Sequence, residues 1–324
     1  MKRKVAVVLL NLGSPASYAE VEPFLFSMFS DRYVIDLPAI CRIPLAKLIS
    51  KLRSPISKKI HSRIGEKSVL LEATQAQGLA LEDMLNETTA GKSEYKVFVC
   101  MRHSAPGAHQ VVNDVHLYGP DRVILLPMYP HYSYVTTQSS VDAWYRASYE
   151  LGHTFNTHIV WHYYNNSHYI AAHCELLLLE YRKVLETHGT PPKILFSAHS
   201  IPLSLMRRGD QYEQHIKWNV ELILQALKIP NLNSVLSYQS KITSPSKWLA
   251  PSTKQEIMKA AKDGVPVLLV PLSFTAENSE TLVELDLDYG ILLETGKFFR
   301  VPTLGTHPSF IQCLYKILRE PEPL

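Results

Sequence analysis

The sequence lacks the short motifs that identify several common classes of binding site. It has only 13 glycines in 324 residues, and none of them forms the Gly-x-Gly-x-x-Gly or P-loop patterns of dinucleotide and ATP sites. Its four cysteines, Cys41, Cys100, Cys174 and Cys313, are far apart, so there is no Cys-x-x-Cys motif. These absences disfavour a nucleotide site and a Cys-x-x-Cys zinc or redox site.

Long apolar runs and one-sided charge are also missing. The net charge is only +3, with Lys and Arg spread along the chain, which makes nucleic acid an unfavoured partner. No stretch approaches the roughly 20 apolar residues of a membrane span. The run Val5–Leu10 is too short for a signal peptide and predicts a strand instead. We expect a cytoplasmic protein with reduced cysteines.

What the sequence does contain is an alternation of short apolar runs with helix-length patterns. The apolar, β-branched runs predict strands over 4–10, 96–101, 122–127, 157–161, 193–198, 234–239, 265–272 and 299–304. Helical patterns cover 18–29, 72–85, 135–150, 167–188, 211–227, 251–261 and 277–294. Such alternation is typical of βαβ units and a mainly parallel sheet. The fold class is therefore α/β, with eight strands in two doubly wound domains and a cleft between them.

The domain division is expected near residue 157. Residues 1–157 would form the first domain and residues 158–306 the second. A final helical pattern over 307–319 has Pro308 near its first turn. We expect that helix to pack back on the first domain.

Residues 37–55 differ from the rest of the chain in mixing isoleucine and leucine with lysine and arginine. A basic amphipathic segment of this kind can lie on a membrane surface or cover an apolar ligand. The alternative is an ordinary surface helix with one buried face.

Chemically capable side chains collect at the predicted carboxyl ends of the strands, where ligands bind in open α/β sheets. His199 ends one buried strand, and Glu277 and Glu280 follow another that leads into Phe274. Tyr129 begins an aromatic group after a third strand. An aromatic rim with few glycines favours a large, flat, apolar ligand with polar handles. The His and the carboxylates favour metal or proton handling, although each could instead be structural.

Ordered motifs over nearly the whole chain resemble those of ferrochelatase, the family that inserts ferrous iron into a porphyrin. The matching segments are 9–15, 30–32 with 35–38, 126–133, 196–202, 208–210, 238–241, 248–251 and 280–282. The most specific is Ser197-Ala198-His199-Ser200-Ile201-Pro202. The resemblance implies two four-stranded Rossmann-like domains around a porphyrin cleft.

The resemblance also implies roles for individual residues. The family's active-site His maps to His199 and its essential carboxylate to Glu280, which gives a catalytic and metal-binding pair. We expect Glu277 to act as the relay partner of Glu280. The expected porphyrin-binding residues are Leu12, Arg53, His61, Ser68, Arg102, Tyr129, Phe274 and Glu277.

The sequence departs from the family pattern at several of these motifs. Glu277-Asn278 replaces the usual Asp-His, while His103 and His131 replace a usual aromatic and a usual glutamine. Only Cys313 lies near the C-terminus, so no iron–sulfur cluster is expected. We expect no cofactor beyond the substrate Fe²⁺, and a monomer that can contact the inner face of the membrane through residues 37–55.

The expected function is insertion of ferrous iron into protoporphyrin IX to give protohaem, the terminal step of haem biosynthesis. Three alternatives remain open at this point. One is a coproporphyrin III ferrochelatase, and another is a chelatase for cobalt or nickel and a related tetrapyrrole, although the match to the ferrochelatase pattern over nearly the whole chain argues against this second alternative. The third is a non-catalytic porphyrin- or haem-binding homologue whose function has been lost around Glu277-Asn278.

Overall fold

The computed structural model describes residues 2–65, 68–88, 93–241 and 247–319. The chain forms two compact units, one of Met1–His162 with the residues from Leu314 onward and one of Tyr163–Cys313. We call them the N-terminal and C-terminal units. The division expected at residue 157 and the expected packing of helix 307–319 remain predictions.

The N-terminal unit is built on a four-stranded parallel sheet in the order β2-β1-β3-β4. Its strands are β1 (Arg3–Asn11), β2 (Ser93–Met101), β3 (Arg122–Pro127) and β4 (Thr157–Ile159). Its helices are α1 (Val21–Phe29), α2 (Ala39–His61), α3 (Val69–Thr88), α4 (Ala108–Tyr118) and α5 (Ser139–Glu150), with a 3₁₀ turn at Tyr18–Glu20 and a π-helix at Tyr134–Gln138. The apolar side chains along β1 are almost fully buried, as expected for a strand covered on both faces.

The C-terminal unit repeats this topology, with a parallel sheet in the order β6-β5-β7-β8. Its strands are β5 (Lys193–His199), β6 (Ser234–Gln239), β7 (Val267–Pro271) and β8 (Phe298–Arg300). Its helices are α6 (Ser167–His188), α7 (Leu203–Arg207), α8 (Tyr212–Leu227) and α9 (Thr253–Lys262), followed by a π-helix at Glu280–Asp288 and a 3₁₀ turn at Gly290–Leu292. Helix α10 (Pro308–Arg319) spans the division at residue 313.

Two sheets flanked by helices confirm the predicted α/β class, but some elements differ from expectation. Helix α4 was not predicted, although a parallel connection from β2 to β3 requires a crossover of this length. Helix α2 runs from Ala39 to His61, beyond the predicted segment 37–55. The predicted helix 277–294 is a π-helix followed by a 3₁₀ turn.

The strand order places a switch point at the carboxyl end of each sheet. In the C-terminal unit the chain passes from β5 to β6 on one side, and β7 lies on the other. Connections that diverge from neighbouring strands leave a crevice at this edge, where ligands bind in such folds. His199 is the last residue of β5 and Ser273 follows β7, so both lie at the switch point.

Candidate functional site

His199 is held in a defined orientation at the end of β5. Its backbone N–H donates to Ser273 Oγ at 2.9 Å, and its Nδ1 lies 2.7 Å from the carbonyl oxygen of Ser200. Because a carbonyl oxygen only accepts hydrogen bonds, Nδ1 carries a proton. The other ring nitrogen, Nε2, lies 3.5 Å from Glu280 Oε1. Nε2 is therefore the atom that can gain or lose a proton, or offer a lone pair, beside the carboxylate.

The electrostatic surroundings favour a charged His199–Glu280 pair. Burial disfavours the imidazolium, but the Glu280 carboxylate outweighs it and raises the pKa of His199 to about 9. Burial likewise opposes ionisation of Glu280, and His199 outweighs that effect and lowers the pKa of the carboxyl. The pair therefore holds a proton at neutral pH, and a metal ion bound at Nε2 would have to displace it.

Ser240 links Glu280 to a second carboxylate, that of Glu284. The Ser240 hydroxyl lies 2.8 Å from Glu280 Oε2 and 2.5 Å from Glu284 Oε2, and its backbone N–H donates to Glu284 Oε1 at 3.0 Å. A hydroxyl has one hydrogen and two lone pairs. It can therefore accept a proton from one carboxyl group while it donates its own to the other.

The backbone at Ser240 is as unusual as its contacts. Its φ is 59°, in the left-handed region that residues other than glycine rarely adopt. Such conformations persist where the surroundings fix them, and they are concentrated at functional sites. Here the bonds from the backbone and side chain of Ser240 to Glu284 supply that fixation.

Glu277, the predicted relay partner, makes its contacts elsewhere. Its Oε1 accepts from Arg300 Nη1 at 3.0 Å and from the N–H and hydroxyl of Thr303, both at 3.1 Å. Its Oε2 accepts from the Thr281 hydroxyl at 2.5 Å. Burial alone would raise the pKa of Glu277, but Arg300 outweighs it and the pKa is lowered. Both oxygens of Glu277 are thus held by neighbours other than Glu280.

The carboxylate that is joined to Glu280 is Glu284, which the sequence analysis missed. A usable signal was present, because Glu284 lies four residues after Glu280, and residues at this spacing share one side of a helix. Ser240 carried no comparable signal, since only the folded chain brings the end of β6 next to this π-helix.

Asn278, one of the departures from the family pattern, has a structural role at the start of the π-helix. Its side-chain oxygen accepts from the N–H groups of Glu280 at 2.8 Å and Thr281 at 3.2 Å. These are N–H groups that a helix start leaves without an internal partner, and Asn is among the preferred residues for satisfying them. The amide thus stabilises the start of the π-helix that carries Glu280.

The predicted pair Arg102 and Tyr129 lies at the strand ends of the N-terminal unit. Arg102 Nη2 is 2.8 Å from Asp31 Oδ2, and its Nε is 2.7 Å from Ser139 Oγ. Ser139 also donates to Asp31, so the guanidinium is held by a buried carboxylate and a hydroxyl. Burial raises the pKa of Tyr129, which keeps its phenol neutral.

The other predicted binding residues have separate local surroundings. Ser68 Oγ is 2.6 Å from Ser14 Oγ, and the Arg53 guanidinium lies 5.9 Å from the centre of the Phe29 ring. His61 is buried at the end of α2, and burial lowers its pKa. Two more are half-buried after strands, Leu12 after β1 and Phe274 after β7.

The predicted set divides between the two units. Phe274 and Glu277 belong to the C-terminal unit with His199 and Glu280, and the other predicted residues belong to the N-terminal unit. Within residues 2–65, 68–88, 93–241 and 247–319, no three His, Cys, Asp or Glu side chains converge to hold a metal ion.

Solved structures of similar fold are chelatases. SirB from Bacillus subtilis with Fe³⁺ superposes with a TM-score of 0.52 at 12% identity, covering 99% of this chain and 95% of that chain. CbiX, described as the terminal enzyme for siroheme biosynthesis in denitrifying bacteria, gives a TM-score of 0.51 at 12% identity, covering 98% of each chain. At these identities the similarity shows the fold alone.

Proteins of a second group share much more of their sequence with this chain than SirB and CbiX do. The ferrochelatase family model matches residues 4–322. A ferrochelatase from Wolbachia sp. subsp. Drosophila simulans (strain wRi) is 48% identical over 96% of this chain and 97% of its own length. One from Pelagibacter ubique (strain HTCC1062) is 39% identical over 97% of this chain and 90% of its own. The chain therefore belongs to the ferrochelatase family, and it is a metal chelatase of the lyase class whose substrates are a porphyrin and a metal ion.

Proposed function

We propose that the protein inserts ferrous iron into protoporphyrin IX and yields protohaem, in the terminal step of haem biosynthesis. The observation that carries this proposal is the His199–Glu280 pair at the β5–β7 switch point, joined through Ser240 to Glu284. It combines an atom that can bind a metal with a route along which protons can leave.

The chemistry requires both features. Inserting Fe²⁺ into a free-base porphyrin forms bonds from iron to the ring nitrogens and releases two protons from the pyrrole N–H groups. The His199 imidazole, once it has lost its own proton, offers Nε2 as a base for a pyrrole proton or as a ligand for iron. A proton received by Glu280 can pass to the Ser240 hydroxyl as that hydroxyl donates to Glu284.

Ferrous iron suits this donor set, because imidazole nitrogen and carboxylate oxygen are both ligands that iron accepts. We propose His199 and Glu280 as the catalytic and metal-binding pair. A metal that must be handed to the porphyrin is better served by two protein ligands than by a closed shell of four, since each ligand has to be exchanged during insertion.

We propose that the predicted binding residues contact the porphyrin. Arg102 offers a guanidinium that Asp31 and Ser139 already orient, and Arg53 offers a second cation, suited to the propionates of the ring. Leu12, Tyr129 and Phe274 supply apolar or aromatic surface. His61, Ser68 and Glu277 complete the predicted set, and we propose no cofactor beyond the substrate iron and no iron–sulfur cluster.

Helix α2 supports the proposed membrane contact. Its exposed side includes Ile40, Leu48, Leu52 and Ile56, which are between 57% and 84% exposed, whereas the residues it buries are mainly small, such as Ala46. The helix has six Lys or Arg and no Asp or Glu in its sequence. An exposed apolar row beside lysines is typical of helices that lie on anionic lipid surfaces.

We also propose that the protein is cytoplasmic and monomeric, with α2 on the inner face of the membrane. Cys100, Cys174 and Cys313 are buried, and none of them forms a disulfide with another cysteine of the described residues, which supports a reducing compartment. No helix among the described residues is long and apolar enough to cross a membrane.

Anaerobic metallation tests the proposed function. Purified protein would be given Fe²⁺ with either protoporphyrin IX or coproporphyrin III, and loss of porphyrin fluorescence would be followed. We expect faster turnover with protoporphyrin IX, and slower turnover when Co²⁺ or Ni²⁺ replaces Fe²⁺. Turnover of coproporphyrin III alone would contradict the proposed substrate.

A further inference from the structure

Arg300, which neither the sequence nor the proposed function assigns, contacts carboxylates on both sides of Glu280 in the chain. We infer that Arg300 is a positioning residue that fixes the π-helix Glu280–Asp288, so that Glu280 and Glu284 both reach Ser240. The inference rests on the proposed function, because it concerns how the same site is held in place.

The first contact is a two-point ion pair with Asp286. Arg300 Nε lies 2.5 Å from Asp286 Oδ1, and Nη2 lies 2.8 Å from Oδ2. Bidentate arginine–carboxylate pairs fix orientation as well as distance, since both groups are planar. The Arg300 side chain is only 11% exposed, so water competes weakly for these bonds.

The second contact is to Glu277, just before the π-helix begins. Arg300 Nη1 donates to Glu277 Oε1 at 3.0 Å, and Nη1 also lies 3.3 Å from the carbonyl oxygen of Val301. Since Thr303 donates to the same Glu277 oxygen, the end of β8 holds this carboxylate firmly. One guanidinium on an edge strand thus anchors the segment before the π-helix and a residue within it.

The two anchored residues lie apart from the pair that the site uses. Glu280 and Glu284 both contact Ser240, whereas Glu277 and Asp286 both contact Arg300. A helix can satisfy both sets of contacts only at one rotation about its axis. Hydrogen bonds of the i to i+5 type are rare and occur mostly in short stretches at functional sites. The contacts that Arg300 and Ser240 make with the π-helix can therefore determine its position.

Charge gives a second reason for the arrangement. The stretch from Glu277 to Asp288 contains five carboxylates, and like charges this close repel. Arg300 neutralises the two that face β8, so they do not compete with Glu280 for His199. Glu280 and Glu284, which both contact Ser240 rather than Arg300, can then exchange protons or bind a cation.

The variant Arg300→Lys tests the inference, because lysine keeps the charge but cannot make the planar two-point contact. We expect kcat for iron insertion to fall on the order of tenfold to a hundredfold, since misplacement of about 1 Å has such effects. Porphyrin affinity, measured by fluorescence quenching without metal, should stay unchanged. Asp286→Asn should lower kcat in the same direction by a smaller factor, and it provides a second variant if Arg300→Lys folds poorly.

A double-mutant cycle distinguishes positioning from general stability. If Arg300 acts by letting Glu280 and Glu284 reach Ser240, then Arg300→Lys combined with Ser240→Ala should lose no more kcat than Ser240→Ala alone. Lys193→Met is the matched control, because Lys193 forms a similarly buried pair with Glu256 at the other end of β5. The Lys193→Met substitution should lower the melting temperature and leave the kcat of the folded enzyme unchanged.

The outcomes separate the two proposals. A wild-type protein that binds porphyrin but inserts no iron would overturn the proposed function and this inference with it. A wild type that turns over, together with an Arg300→Lys enzyme of normal kcat, would overturn only the inference. Losses of kcat that multiply in the double variant would overturn it as well, because they would show that Arg300 acts independently of the contacts that Glu280 and Glu284 make with Ser240.

Discussion

The Nε2 atom of His199 lies 3.5 Å from Oε1 of Glu280, while Nδ1 of the same ring is committed to the carbonyl oxygen of Ser200. This relationship assigns distinct tasks to the two ring nitrogens. Nδ1 fixes the orientation of the imidazole, and Nε2 is the atom that exchanges a proton or meets a metal. Hydrogen bonds from one ring nitrogen set the role of the other in this way at many metal sites.

The first prediction concerns the charge on this pair. Because the Glu280 carboxylate raises the pKa of His199 to about 9 against the effect of burial, Glu280→Gln should lower that pKa. NMR titration of the His199 ring in the metal-free protein would measure it. A pKa that stays near 9 in the variant would show that Glu280 is not the group that stabilises the imidazolium.

The second prediction concerns the connection through Ser240. Both Ser240→Ala and Glu284→Gln should reduce kcat for iron insertion by on the order of a hundredfold, the usual scale for a positioned proton-transfer group. Porphyrin binding should persist in both. Glu294→Gln is the matched control, since Glu294 pairs with Lys297 and is 78% exposed. Equal kcat in all three variants and the wild type would exclude a relay through Ser240.

The third prediction concerns acid stability. Burial lowers the pKa of His173 to about 3, while an unfolded His titrates near pH 6.5. The unfolded chain therefore binds a proton that the folded chain refuses, and stability is lost as pH falls from about 6.5 toward 3. His173→Phe, which can retain the ring contact with Tyr169, should weaken this dependence by up to a few kcal/mol. Urea midpoints at pH 7.5 and 5 would measure it, and an equal pH effect in both proteins would contradict the account.

The fourth prediction concerns the exposed apolar row of α2. The variant carrying both Leu48→Glu and Leu52→Glu should lose binding to vesicles that contain anionic lipid, because charge is costly in the membrane interface. Leu117→Glu is the control, since Leu117 is 82% exposed on α4. Co-sedimentation with vesicles would measure binding. Equal binding by both variants would show that α2 is not the membrane contact.

The sequence was informative about candidate site residues that lie at or just after the end of a strand. The positions of His199 and Glu280 after the strands β5 and β7 could be predicted because buried parallel strands are continuous apolar runs, and such runs stop at the edge of the sheet where ligands bind. The paired sheets followed from the alternation of strands and helices. The lengths of the edge strands β4 and β8 were misjudged, since each pairs over just three residues.

What the sequence could not supply depends on contacts between distant segments. Glu284 gains its role from Ser240, 44 residues away, and the left-handed backbone of Ser240 has no sequence signal. The π-helix is likewise favoured by Asn278 at its start and Arg300 at its side. Glu277 was assigned as a relay because it is a carboxylate near Glu280, and only the fold shows that Arg300 and Thr303 hold it.

The central claim is that the His199–Glu280 pair inserts the metal. The most direct measurement is anaerobic insertion of Fe²⁺ into protoporphyrin IX by the wild type, His199→Ala and Glu280→Gln, with porphyrin binding measured in parallel. The account predicts turnover by the wild type and its collapse in both variants while porphyrin binding is kept. Near-normal turnover by either variant would contradict the claim.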